Sequence, residues 1–373
     1  MMTNTTAAPQ PPQAQPDKLW YTRCPVPSPL GIAARLGWLA ETFAQEGIGI
    51  ESIIDSKDRS VRESHFDHHL AWSFRQGGNI PPIWARAQGR DTRLVAITWT
   101  DEFQALITLP GSAITSAAQL AGQRIAIPRR VNDLIDFHRA TALKGVVSGL
   151  SLAGLTHRDV TLVDLPIEES VILAPGEPSL HGLRRRHPYF AEVQALVRGE
   201  VDAIFVKGAE GIVVANLIGA QVVADFGRHP DPWIRINNGT PRTLTVDAAL
   251  AEQRPDLVVR LLEVVQRAGQ WAEQHPDETL RFVAREIATP EEAVLASNGP
   301  EVHRHLGLSL DTPLIEALGH FKDFLLEWGF LPADFALDGW VDPGPLAQLR
   351  RATSGLPLAA SMLPTPTGVP HAR

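Results

Sequence analysis

The chain contains one cysteine, Cys24, within the segment Cys24-Pro25-Val26-Pro27. A lone cysteine is most often a small buried apolar side chain. Cys24, however, follows a predicted strand, where α/β folds place functional residues, and the prolines beside it restrict the backbone. A thiol becomes chemically useful when a nearby cation or histidine favours its thiolate. Cys24 is therefore a candidate catalytic residue if such a group reaches it.

A group of histidines follows about forty residues later, with His65, His68 and His69 at helical spacings i, i+3 and i+4. On one face of a helix, three imidazoles could bind a metal ion together with a neighbouring carboxylate. Exposed or helix-capping histidines are the commoner outcome of such a cluster. We predict no metal site, and His65 is the candidate for a role beside the thiol.

The third candidate is Arg75, which precedes the glycine pair Gly77 and Gly78. A surface salt bridge is the ordinary role of a single arginine. Glycines before a helix, however, leave backbone N–H groups free for an anion, and a guanidinium donates two parallel hydrogen bonds to an oxyanion. A helix predicted at Ile83–Ala87, with Pro81 or Pro82 in its first turn, would point its N-terminus at that anion. A carboxylate, sulfonate, sulfinate or phosphate would fit this arrangement.

Composition limits the class of protein. The 373 residues carry 34 Lys and Arg against 42 Asp and Glu, a formal charge of −8, without a polybasic block, which argues against nucleic acid as a partner. No apolar run is long enough to span a bilayer, so we expect no membrane partner. Residues 1–17 have no basic or apolar signal region and are predicted to be a disordered tail, which favours a cytoplasmic location. Residues 355–373 are predicted to be loose.

The elements that must position these candidates alternate between strand and helix. Such alternation predicts parallel α/β sheets, followed from Pro255 onward by mostly helical chain. Helical spacing predicts one helix over Leu30–Gln45, and the apolar run Leu94–Thr98 predicts a buried parallel strand. The length favours two lobes. We predict that residues 18–109 and 227–354 form lobe 1 and that residues 110–226 form lobe 2.

Several short segments resemble type II periplasmic-binding-protein folds. They are Gly37–Gly47, Leu120–Ala126, Val197–Ile204 and Arg254–Val258. Each segment is a weak marker, but their order along the chain is that of the fold. The resemblance implies an α/β protein of two lobes with C-terminal helices and a ligand cleft between the lobes.

The candidate residues themselves resemble the 2'-hydroxybiphenyl-2-sulfinate desulfinase family, which completes dibenzothiophene desulfurisation. The matching residues are Cys24-Pro25-Val26-Pro27, His65-Phe66, Ala71, Arg75, Gly77-Gly78 and Ile80-Pro81-Pro82. The resemblance implies that Cys24, His65, Arg75 and Gly78 form the active site of a carbon–sulfur hydrolase that releases sulfite from an aromatic sulfinate without a cofactor. A monomer is expected, because a two-lobed clamp can exclude water alone.

Aromatic side chains near these residues could stack on the aryl group of such a substrate. We predict that Phe66 and Trp72 do so, and that Gly77 and Gly78 contact the substrate beside Arg75. Cys24 could attack the sulfur as a thiolate, or donate its proton to the carbon while water takes the sulfur. In both routes His65 would tune the thiol or relay the proton.

Two other interpretations remain. The chain could be the solute-binding component of an ABC transporter for sulfonates or related organic anions, which would be expected to carry an export signal or a lipoprotein cysteine. It could also be a ligand sensor or a pyrimidine-precursor-type enzyme on the same fold. The latter is expected to show a cysteine-rich motif, which one cysteine cannot supply.

Overall fold

The computed structural model describes residues 16–172 and 189–354, so nearly all of the predicted loose ends, 1–17 and 355–373, lies outside the described residues. The strands are β1 (Lys18–Arg23), β2 (Gly49–Ser52), β3 (Ser73–Gly77), β4 (Thr92–Thr98), β5 (Gln104–Thr108), β6 (Arg124–Arg130), β7 (Thr161–Ile167), β8 (Ile204–Lys207), β9 (Gln221–Asp225) and β10 (Arg242–Asp247).

The α-helices of the described residues connect the strands and then form most of the C-terminal part of the chain. They are α1 (Pro29–Arg35), α2 (Trp38–Ala44), α3 (Arg59–Asp67), α4 (Ile80–Ala87), α5 (Phe137–Ser151), α6 (Phe190–Val197), α7 (Gly208–Leu217), α8 (Pro232–Arg235), α9 (Ala248–Gln253), α10 (Pro255–Gln274), α11 (Pro276–Ile287), α12 (Glu291–Asn298), α13 (Thr312–Glu327) and α14 (Gly344–Ser354). Among the described residues, none of these helices has the length and apolar character of a membrane span.

The first lobe is built on a five-stranded sheet in the order β2-β1-β3-β10-β4. β1 pairs in parallel with β2 and β3, whereas β10 runs antiparallel to both β3 and β4. The segment Leu94–Thr98 is buried within β4, which runs in the same direction as β1, β2 and β3. The expected parallel pairing is nevertheless wrong, because the strand that pairs with β4 is the antiparallel β10. A continuous apolar run indicates burial on both faces of a sheet, but it does not show which distant strand will pair with it.

The second lobe contains a sheet in the order β8-β5-β9 and a parallel β6-β7 pair, joined by a parallel bridge between Ile125 and Ala203. β5 pairs on both sides within this lobe, so the chain leaves the first lobe between Thr98 and Gln104. This corrects the predicted boundary at residue 109. The chain returns to the first sheet between Asp225 and Arg242, giving two crossing segments, 99–103 and 226–241.

The C-terminal helices divide between the lobes. α10 packs against α1, α2 and α14 in the first lobe, whereas α12 packs on α7 of the second. At the end of α13, the ring of Trp328 lies 4.9 Å from that of His157 in the second lobe. The prediction that residues 227–354 all belong to the first lobe is thus too simple. One buried apolar cluster, which includes Ile97, Leu106 and Phe321, connects the two lobes.

Gly37 divides the single helix predicted at Leu30–Gln45 into α1 and α2. Its φ of 77° lies in the left-handed region, which glycine adopts without strain. α1 has a start signal of its own: the Ser28 hydroxyl accepts the Gly31 N–H, and Pro29 occupies the first turn. The helix therefore begins directly after the loop that carries Cys24.

Candidate active site

Cys24 and Arg75 meet because their strands are neighbours. β1 and β3 are parallel and in register, with Thr22 beside Arg75, so the carboxyl ends of both strands lie at one edge of the sheet. Cys24 follows β1 directly, and its N–H donates to the carbonyl of Gln76 at 3.1 Å. Functional residues of α/β folds gather at such strand ends.

The sulfur of Cys24 contacts two nitrogen-bearing side chains. Nη2 of Arg75 donates to Sγ at 3.2 Å, and Nε2 of His65 lies 3.7 Å from Sγ. A Cβ atom at Gly77 would overlap this sulfur, so only glycine lets the thiol occupy its position. The cation stabilises negative charge on the sulfur, and the imidazole can exchange a proton with it.

His65 reaches the sulfur from α3 and is held from behind by Thr22. Oγ1 of Thr22 lies 2.6 Å from Nδ1 of His65, and both side chains are buried. Burial lowers the pKa of His65 well below its ordinary value, and the charges of Arg75 and His68 lower it further. The ring is therefore neutral at neutral pH. Because a hydroxyl can donate or accept, Thr22 supports either tautomer, and Nε2 can take or give the proton.

Arg75 is 1% exposed and forms part of the framework of the site. Its Nε donates to the carbonyl of His65 at 3.0 Å, and its Nη1 donates to the carbonyl of Gly78 at 2.7 Å. Burial lowers the pKa of Arg75, while the charge of Cys24 acts in the opposite direction. A guanidinium nevertheless stays protonated in proteins. The site thus contains a fixed cation next to the thiol.

A cavity of about 540 Å³ opens beside Cys24, between the lobes. Phe66 of the first lobe and Phe137 of the second stack across it, with ring centroids 5.8 Å apart. The volume suits a small organic ligand, and the lining is mostly apolar. The apolar lining residues are Pro25, Val26, Pro27, Ile54, Phe66, Phe137, Val171, Ile172, Tyr189, Ala209 and Ile287.

Sequence reasoning missed several polar residues of the cavity, which come from the crossing segments and the second lobe. Nζ of Lys207 lies 2.7 Å from Oε1 of Glu102 and donates to the carbonyl of Asn238 at 2.6 Å. No motif marks these positions.

Thr22, which holds His65 from behind, was also missed. It could have been found, because residues i and i+2 of a strand share one face and Thr22 is two residues before Cys24.

The predicted substrate contacts separate into three groups. Gly78 and Phe66 line the cavity. Arg75 and Gly77 are not among the lining residues and lie against the Cys24 sulfur instead. Trp72 is not among the lining residues, which corrects its assignment. It precedes the amino end of β3, whereas the site lies at the carboxyl end, and its side chain packs against the apolar cluster of the first lobe. Its N–H donates to Asp247.

The three histidines do not converge on one point. α3 ends at Asp67, and His68 adopts a left-handed φ of 54°, which turns the chain away from the helix. Nδ1 of His69 lies 2.6 Å from Oδ1 of Asp67. In the described part of the chain, no group of three or more side chains is arranged to bind a metal ion.

The sheet topology, the cleft and the cysteine define a type II periplasmic-binding-protein-like α/β protein with a thiol in its cleft, and the predicted fold class is confirmed. The periplasmic aliphatic sulphonate-binding protein SsuA of Escherichia coli superposes with a TM-score of 0.62 at 14% identity, covering 96% of this chain and 98% of SsuA. That likeness concerns the fold alone. A scan against protein-family models finds no match.

The particular relatives carry more information. The chain is 29% identical over 352 residues to 2'-hydroxybiphenyl-2-sulfinate desulfinase of Rhodococcus erythropolis, covering 88% of this chain and 92% of the relative. A cysteine-to-serine mutant of DszB, solved in complex with biphenyl-2-sulfinic acid, superposes with a TM-score of 0.71 at 27% identity. The match covers 90% of this chain and 99% of DszB. The resemblance predicted from the sequence is therefore confirmed.

Proposed function

We propose that this protein is a desulfinase, an enzyme that cleaves the carbon–sulfur bond of an aromatic sulfinate and releases sulfite. The observation that carries the proposal is the position of the Cys24 sulfur, within 3.2 Å of Arg75 and 3.7 Å of His65, on the wall of an apolar cleft. The similarity to 2'-hydroxybiphenyl-2-sulfinate desulfinase supports it.

Arg75 and Gly78 would hold the two sulfinate oxygens. Three of the five guanidinium N–H groups of Arg75 donate to His65, Gly78 and Cys24. Arg75 is 1% exposed and lies behind the cavity wall, so a sulfinate oxygen would meet its remaining N–H groups only beside the Cys24 sulfur. Gly78 lines the cavity, so its backbone N–H can supply a further donor. Donors fixed in this way stabilise charge on the substrate oxygens without reorganising during the reaction.

The overall reaction replaces sulfur by hydrogen: an aryl sulfinate and water give the arene and hydrogen sulfite. In one route His65 takes the proton of the Cys24 thiol, and the thiolate attacks sulfur. The aryl carbon takes that proton from His65 as the carbon–sulfur bond breaks, and water then releases hydrogen sulfite from the cysteine and restores the thiol. In the other, the Cys24 thiol protonates the carbon while water adds to sulfur. Both routes need a proton carrier within reach of Sγ, which His65 provides.

Intact-protein mass spectrometry of quenched turnover distinguishes the two routes, since only the first adds SO2 to Cys24.

An assay of several sulfinates tests the proposed reaction. Purified protein is incubated with 2'-hydroxybiphenyl-2-sulfinate, biphenyl-2-sulfinate and a short alkyl sulfinate, and sulfite and the desulfinated product are measured together. The proposal predicts equal amounts of both products from the aromatic compounds and much less from the alkyl one. Tight binding of sulfonates without sulfite from any sulfinate would favour a solute-binding protein instead.

Two further properties stay predictions from the sequence. We propose a monomer, since a clamp of two lobes can exclude water from its cleft without a second copy of the chain. Size-exclusion chromatography with light scattering tests this. The expected cytoplasmic location is tested by fractionation of cells that express the native gene.

A further inference from the structure

The cleft contains a cation that the proposed reaction does not use. Arg62 lies in α3 three residues before His65 and four before Phe66, so the three side chains share one face of the helix. All three line the cavity, and Arg62 is only 8% exposed. Arg62 is thus a nearly buried part of the cleft wall.

The hydrogen bonds of Arg62 leave part of its guanidinium unpaired. Nη1 donates to the carbonyl of Ser56 at 2.8 Å, which fixes the group in place. Nε is buried and has no hydrogen-bond partner. Among the described residues, no carboxylate lies within ion-pair distance of Arg62. A buried cation held only by a neutral carbonyl keeps its full charge and gains from an anionic partner.

The other two described lysine and arginine side chains that line the cleft are paired with carboxylates. Nε of Arg23 lies 2.7 Å from Glu286, and Nζ of Lys207 lies 2.7 Å from Glu102. Arg75 is engaged with Cys24 and two backbone carbonyls. Among the described lysines and arginines that line the cleft, Arg62 is therefore the one without a carboxylate partner.

We propose that Arg62 binds a second anionic oxygen group of the substrate, so that the preferred sulfinates carry a carboxylate or similar acid on the aromatic skeleton. The inference rests on the proposed function for the sulfinate itself. An aromatic ring packed against Phe66 would direct one substituent toward His65 and Cys24 and another toward Arg62, because these residues neighbour Phe66 on the helix face. A bidentate guanidinium is well suited to a carboxylate.

Binding measurements test the inference without requiring turnover. Unreactive biphenyl-2-sulfonate is compared by calorimetry with the same sulfonate carrying a carboxylate at each position of the second ring. The wild type should bind at least one carboxylated compound about tenfold or more tighter than the parent, the size expected of a charged hydrogen bond. Arg62→Met should abolish that preference while leaving the affinity for the parent within about twofold.

Two controls separate recognition from folding. Arg62→Lys keeps the charge and should retain part of the preference. Arg59→Met removes an exposed arginine of the same helix, which pairs with Glu63, and should retain all of it. Absence of any preference in the wild type would overturn the inference, even if Arg62→Met failed to fold. A preference that persists in Arg62→Met would overturn it too, whereas a failure to release sulfite would count only against the proposed reaction.

Discussion

Nη2 of Arg75 lies 3.2 Å from Sγ of Cys24, at the adjacent carboxyl ends of two parallel strands. The same guanidinium donates to the carbonyls of His65 and Gly78. One buried cation therefore holds the thiol, the histidine and Gly78 in a fixed arrangement. Charge stabilisation and local structure at this site depend on one side chain.

Replacement of Arg75 should consequently affect both stability and activity. Arg75→Met leaves two buried carbonyls without donors, and we expect the free energy of unfolding to fall by about 2–4 kcal/mol. Arg75→Lys keeps a charge but loses the forked geometry, so kcat/KM should fall by about 100-fold or more with a smaller loss of stability. Urea unfolding and steady-state kinetics measure the two effects. Unchanged stability of the Met variant would show that the carbonyl contacts are unimportant.

Gly77→Ala should act on the thiol. The added methyl group overlaps Sγ of Cys24 and must displace it from Arg75 and His65. A displacement of about 1 Å at a reacting atom can cost about 100-fold in kcat. Gly307→Ala is the matched control, because a Cβ there meets open space and the backbone is not in the left-handed region. Equal kcat values for the two variants would contradict the assignment.

Thr22 is expected to position His65 through its hydroxyl group. Thr22→Val keeps the shape but removes the partner of Nδ1, so kcat should fall by about tenfold or more while KM stays nearly constant. Thr22→Ser restores a hydroxyl and should recover most of the rate. The pH profile of kcat should shift in the Val variant alone. A Val variant with the wild-type rate and profile would rule out this positioning role.

His68 should make stability depend on pH. Burial lowers its pKa well below the ordinary value, and the charges of Arg75 and Arg90 lower it further. Below about pH 6.5 His68 binds a proton in the unfolded chain but stays neutral in the folded chain. The free energy of unfolding therefore falls as the pH drops. His68→Gln should reduce the slope of unfolding free energy between about pH 6.5 and 5 by up to about 1.4 kcal/mol per pH unit. Identical slopes for variant and wild type would contradict this.

The sequence was most informative where function restricts residue type. Cys24 and Gly78 each follow a strand directly, and Arg75 lies within β3. Helix α4 (Ile80–Ala87), with prolines in its first turn, contains the predicted Ile83–Ala87. Thr22 could have been predicted from strand periodicity, because it lies two residues before Cys24. Trp72 was misassigned because it is close to the site residues in sequence but precedes the amino end of β3, whereas the site lies at the carboxyl end of that strand.

Contacts between distant parts of the chain could not be predicted. The strand that pairs with β4 is β10, which follows in the chain only after the whole second lobe. The ion pair of Glu102 and Lys207 joins a crossing segment to the end of β8, and neither residue has a local signal. Spacing patterns describe neighbours within an element, so they carry no information about such pairings.

The central claim is that the Cys24 thiol takes part in the proposed reaction, and Cys24→Ser tests this claim most directly. Sulfite release from 2'-hydroxybiphenyl-2-sulfinate is measured for wild type and variant, alongside the affinity of each for an unreactive aryl sulfonate. We predict that the variant binds the sulfonate and melts like the wild type but releases sulfite at least about 1,000-fold more slowly. A serine variant that keeps a rate near that of the wild type would contradict the mechanism.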